Sequence, residues 1–123
     1  MKKIGSDVEI VYQVTQSGGP AGVVSARDFV LVSKSGKSGE TFVCAGISTD
    51  FPEDGIEKDS GLVRATNGPG AMLIKPLNEG KCELVWLMDC QYNGSVPGPV
   101  LEIAMPLAQL QYVECVRKLA AGL

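Results

Sequence analysis

Histidine is absent from this 123-residue chain. Serine and cysteine therefore have no imidazole to activate them, and the usual Ser-His-Asp and Cys-His arrangements are excluded. The four cysteines, Cys44, Cys82, Cys90 and Cys115, contain no CxxC spacing, so they make a poor zinc set and read as reduced, buried thiols. No apolar run reaches the 18 residues that a membrane-spanning helix needs. The start Met1-Lys2-Lys3 is followed by Ile4-Gly5-Ser6-Asp7 rather than an apolar core, so a secretory signal is not expected. Positive charge is in deficit: the net charge is -3, which argues against nucleic acid as the partner.

Phosphate and acid–base signatures are missing as well. Gly36-Lys37-Ser38 has Leu31 where a phosphate-binding loop needs its first glycine. The acidic pairs Glu53-Asp54 and Glu57/Asp59 lie in a polar stretch with nothing apolar to raise a pKa, and they read as a solvated loop. Asn93-Gly94-Ser95 fits the glycosylation pattern but reads as a turn. No cofactor and no metal is expected, and the chain reads as a binder rather than an enzyme.

What the chain does carry is alternation. Residues 7–15 place Val8, Ile10, Tyr12 and Val14 on one face and Asp7, Glu9 and Gln13 on the other, which predicts a half-buried strand. After a Gly/Pro loop at 16–22, strands are predicted at 26–34 and 40–48, separated by a turn at Ser35-Gly36-Lys37-Ser38-Gly39. An acidic loop covers 49–61. A short strand at 62–65, a tight turn at Asn67–Gly70, a strand at 71–77, a turn at 78–80 and a strand at 81–91 complete an antiparallel meander of about six strands. In the last strand Cys82, Leu84, Trp86, Met88 and Cys90 share one apolar face.

From Pro99 the period changes to three or four. One stripe holds Leu101, Met105, Ala108, Tyr112, Cys115 and Leu119, and another holds Val100, Ile103, Leu107, Leu110 and Val113. A long C-terminal helix is predicted, with proline well placed in its first turn and Arg117 and Lys118 suited to the dipole at its end. Pro106 should kink or split it. Its apolar surface is too wide for a helix facing water, so it must cover the sheet, a ligand or another chain. The expected class is α+β, a single domain over 1–123.

Several segments, in order, carry a family resemblance. Val23-Val24-Ser25-Ala26-Arg27-Asp28-Phe29-Val30 resembles the Ser-Pro-Arg-Asp-Phe-Val strand of START lipid-transfer domains. Val43 to Asp50, Val63 to Gly70, Leu84 to Leu87 with Asn93-Gly94 and Pro97, and Gln109 to Leu119 resemble the family's later strands and final helix. The cholesterol-binding subgroup is the best match. The resemblance implies a helix-grip fold, a curved antiparallel sheet closed by the C-terminal helix over a lipid tunnel, with the N-terminal part of the fold missing. It implies an apolar cargo, a sterol first and a carotenoid as an alternative, with transient membrane contact and a cytoplasmic location at an organelle surface. A bare sheet edge would favour a homodimer that completes the sheet. A regulatory or dimerisation module that binds no lipid is the rival reading.

The family's cavity pairs an acidic residue with an arginine. Those positions fall on Gln13 and Ser33, both neutral, and losing both charges together avoids a lone buried ion. Alternation, however, sets Gln13 on the polar face, so a surface glutamine and a cavity glutamine both stand as readings. Arg27 and Asp28 match the motif and are expected to be structural. The resemblance adds Phe29, Cys44, Trp86, Met88, Leu101, Met105, Ala108 and Tyr112 to Gln13 and Ser33 as candidate ligand contacts. Core packing is the plain reading of each apolar one. Asn67–Gly70 would act as a lid or as a passive turn.

Overall fold

In a computed structural model, residues 2–17, 24–50 and 61–122 are described. The acidic pairs at 53–59 and most of the loop at 16–22 lie outside them. The strands are β1 (Lys2–Lys3), β2 (Val8–Val14), β3 (Arg27–Ser38), β4 (Thr41–Ser48), β5 (Val63–Arg64), β6 (Thr66–Asn67), β7 (Gly70–Pro76), β8 (Cys82–Leu87) and β9 (Cys90–Gln91). One helix, α1, runs from Gly98 to Ala121. The main sheet has the order β1-β2-β3-β4-β7-β8, all antiparallel along that path, and β6 pairs β9 in a small separate ladder.

The hairpin between β3 and β4 corrects the expected turn at 35–39. Ser35, Gly36 and Lys37 pair with Cys44, Val43 and Phe42, so the strand continues through the Ser/Gly stretch. Lys37 adds a cation–π contact, its Nζ lying 4.2 Å from the Phe42 ring centre. The reversal falls on Gly39 and Glu40, and Gly39 takes the φ of 60° that a Gly-X hairpin turn requires at its first position.

The segment 62–65 also departs from the meander. β4 parts from β3 beyond the Leu31–Ser48 pair, and β5 takes its place beside Arg27 and Asp28, in parallel. The expected turn at Asn67–Gly70 shrinks to Gly68-Pro69, since Asn67 belongs to β6 and Gly70 opens β7. The expected strand 81–91 is interrupted at Met88-Asp89, because β8 ends with its partner β7 and β9 turns to pair with β6.

Polar side chains knit the strand ends. Arg27, 1% exposed, donates from Nε to the Tyr92 carbonyl at 3.1 Å, from a terminal nitrogen to the Asn93 carbonyl at 3.0 Å, and to Ser25. Asn93 and Gly94, with φ of 52° and 73°, make the turn that presents those carbonyls. Asp28 accepts two hydrogen bonds of 2.8 Å from Arg64 and one of 3.1 Å from the Tyr12 hydroxyl. The buried apolar residues among those described are Ile10, Val24, Phe29, Val30 and Ala65.

The helix is a single element across Pro106, so the proline does not split it. No residue of α1 is fully buried.

Candidate functional site

A cavity of about 520 Å³ lies between the sheet and α1. That volume is within the range of small-molecule sites. From the sheet come Gln13 on β2, Phe29 and Ser33 on β3, Cys44 on β4, Trp86 on β8 and Met88 just beyond it. From the helix come Met105, Ala108 and Tyr112, the inward stripe of α1. Leu101, one turn earlier, is half-buried and outside this lining. In the second stripe Ile103, Leu107 and Leu110 are exposed, whereas Val100 and Val113 are half-buried.

Gln13 therefore sits on the cavity side of β2, and alternation brings Glu9, Val11 and Thr15 to the same side. The apolar set pays for this: Tyr12 is 38% and Val14 50% exposed on the other face. Those additional lining residues were readable from Gln13 by counting in twos. Asn67, from the segment expected as a lid or turn, also lines the space, as do Asp89, Tyr92 and Gln109, which left no comparable signal. Asp89 faces inward because the chain leaves strand geometry after Leu87, which lets four successive residues, Trp86 to Asp89, border one cavity.

The helix is fastened to the sheet by aromatic contact. The rings of Trp86 and Tyr112 lie 4.9 Å apart with planes tilted by 47°, and the Tyr112 hydroxyl reaches Met72 Sδ at 3.9 Å. Tilted pairs of this kind match the ring quadrupoles. On the floor, the Ser33 hydroxyl and the Cys44 thiol are 3.4 Å apart, and Glu9 stands opposite Ser33 across the strands. At the other side Gly68 N–H donates to the Asp89 carbonyl at 2.8 Å. The Asp89 carboxylate lies so close over Gly68 that an added Cβ would meet it at 2.3 Å. Burial, with the nearby Cys90 thiol, pushes the Tyr92 phenol up to about 12, so it stays protonated. No cluster of metal-ligating side chains occurs among the described residues.

A curved antiparallel sheet gripped by one terminal helix over a hollow is the architecture of lipid-transfer folds. The START domain matches residues 1–122, and the chain belongs to the START family. It is 34% identical over 119 residues to the steroidogenic acute regulatory protein of Xenopus laevis, covering 95% of this chain and 41% of that protein. To the mitochondrial steroidogenic acute regulatory protein of Rattus norvegicus it is 32% identical over 120 residues, covering 96% and 41%. The chain thus spans about two fifths of the length of these curated relatives. Among solved structures it resembles human StAR-related lipid transfer protein 5 with a TM-score of 0.89 at 20% identity, over 99% of this chain and 58% of that one. Human STARD10 follows at 0.72 and 18%, over 98% and 46%. The family is one of lipid binding and transfer. No helix among the described residues is long and apolar enough to cross a membrane.

Proposed function

We propose that this chain binds an apolar lipid between sheet and helix and carries it between membranes without chemical change, with a sterol as the cargo. The observation that carries the proposal is the cavity of about 520 Å³ between the sheet and α1, bordered by the Trp86–Tyr112 contact, in a START chain. The names of its steroidogenic relatives support the sterol. A guest that buries about 400 Å² of apolar surface gains roughly 10 kcal/mol before costs. Ordering and desolvation then consume much of that gain. In this reading Phe29, Cys44, Trp86, Met88, Met105, Ala108 and Tyr112 touch the apolar body, Leu101 extends the wall as the helix moves, and Gln13 and Ser33 bond a hydroxyl. Release follows a swing of α1 or of the Gly68-Pro69 bend.

Membrane contact falls to the exposed Ile103, Leu107 and Leu110, from the cytoplasmic side of an organelle. The chain 1–123 acts as one unit and pairs with a second copy along β2. β1 covers only Glu9 and Ile10 there, so the edge from Val11 to Val14 has no neighbouring strand among the described residues. Native mass spectrometry after gentle purification tests both points, and an absorbance spectrum of the extracted cargo separates sterol from carotenoid. An empty protein that takes up no sterol from vesicles would defeat the proposal.

A further inference from the structure

The polar groups around the cavity are one-sided. Two carboxylates, Glu9 and Asp89, border it, and no lysine or arginine does among the described residues. The nearest buried cation is already engaged: Arg27 gives its donors to the Tyr92 and Asn93 carbonyls and to Ser25. Arg64 is held by Asp28. Neither Glu9 nor Asp89 forms a salt bridge among the described residues. Beside Gly68, where the Asp89 carboxylate rests, Asn67 keeps a buried Oδ1 with no hydrogen-bond partner, although its own N–H is bonded to the Ser48 hydroxyl at 2.7 Å. A buried acceptor without a donor is a standing cost that a donor from a guest would remove. A further negative charge brought to these two carboxylates, with no cation in the lining to offset it, is opposed by both.

We infer that the cavity selects cargo by its polar end, accepting amphiphiles that present a hydrogen-bond donor, a hydroxyl or an amine, and rejecting those that end in sulfate, carboxylate or phosphate. This rests on the reading of the cavity as a lipid site and narrows it.

Three probes with one ring system separate the terms: a 3-hydroxysterol, the matching 3-amine and the matching 3-sulfate, each displacing a fluorescent sterol from the full chain. At low salt the hydroxyl and amine forms are expected to bind at least about tenfold more tightly than the sulfate, with the gap narrowing as salt rises. In the Glu9→Gln/Asp89→Asn double variant the ratio of sulfate to hydroxyl affinity should rise by about tenfold. Equal binding of sulfate and hydroxysterol by the natural chain overturns the inference and leaves the lipid site standing. So does a ratio that the double variant does not move. Failure of all three probes to bind overturns both.

Discussion

The indole of Trp86 on β8 and the phenol ring of Tyr112 on α1 meet at 4.9 Å, at a tilt of 47°. No residue of the helix is fully buried, so this pair is a principal fastening between the two layers. Replacing Tyr112 by Ala removes it, at a cost of about 1 kcal/mol beyond the lost area. Cargo should then dissociate roughly fivefold faster, as the same free energy implies for a rate. Tyr112→Phe keeps the ring and loses only the 3.9 Å reach to Met72 Sδ, so its release rate should stay close to the natural one. Stopped-flow loss of a fluorescent sterol measures all three, and equal rates for the Ala and Phe variants would refute the fastening role.

Asp28 should make the fold acid-sensitive. Hydrogen bonds from Arg64 first, and from Tyr12 next, hold its carboxyl below the usual carboxylate range against the opposing effect of burial. A folded-state pKa below the unfolded one adds stability at pH values above the unfolded value, about 4. That stability is lost as the pH falls through the lower folded-state value. The urea midpoint of the natural chain should therefore drop between pH 5 and the acid limit more steeply than that of Asp28→Asn. At neutral pH the variant should lose about 2 kcal/mol, less than a fully buried pair would, since the Arg64 side chain is 38% exposed. Parallel urea titrations at pH 7 and in acid read both effects, and indistinguishable acid slopes would count against this role.

How much of this was legible in the sequence depends on which rule governed each residue. The helix followed from its period, but the period gave two apolar stripes, and only the family resemblance singled out Met105, Ala108 and Tyr112 as the residues that border the cavity. β2 was harder. Its apolar residues mark one face and its polar residues the other, yet the hollow lies on the polar side. Alternation reports only that the two faces differ. It does not report that a cavity, rather than solvent, meets the polar one, and only the family position of Gln13 pointed inward. The Ser/Gly stretch of β3 reads as a turn because local propensity says so, but pairing with Thr41–Cys44 supplies partners that local sequence cannot see. The inward approach of Asp89 depends on where β8 loses β7, a long-range event with no signal in the neighbouring residues.

Cys44 offers a direct report on occupancy. The expectation of buried thiols does not hold, since Cys44, Cys82 and Cys115 are all exposed; of these three only Cys44 lines the cavity, its thiol 3.4 Å from the Ser33 hydroxyl. Loading the chain with sterol should slow alkylation of Cys44 severalfold and leave Cys82 unchanged. Peptide mapping by mass spectrometry after timed exposure to a maleimide gives both rates from one sample. Equal slowing at both cysteines would indicate a global change rather than a filled cavity, and no slowing at either would mean that the sterol lies elsewhere.

Pro106 is the remaining lever on release. The helix runs through it without a break, but a proline nitrogen has no hydrogen to donate to the Glu102 carbonyl one turn back. The ring borders a second hollow of about 400 Å³ with Trp86, Gln109, Leu110 and Val113, so the weakened turn lies beside the aromatic fastening. Proline in a helix interior costs up to about 3 kcal/mol relative to alanine. Pro106→Ala should raise the urea midpoint and stiffen α1. If bending at this turn opens the cavity, the variant should retain cargo longer and transfer it between vesicles more slowly, with equilibrium affinity changed little. Transfer rates and affinities measured together decide it. A more stable variant that transfers at the natural rate would mean that α1 moves as a rigid rod or that the Gly68-Pro69 bend provides the exit.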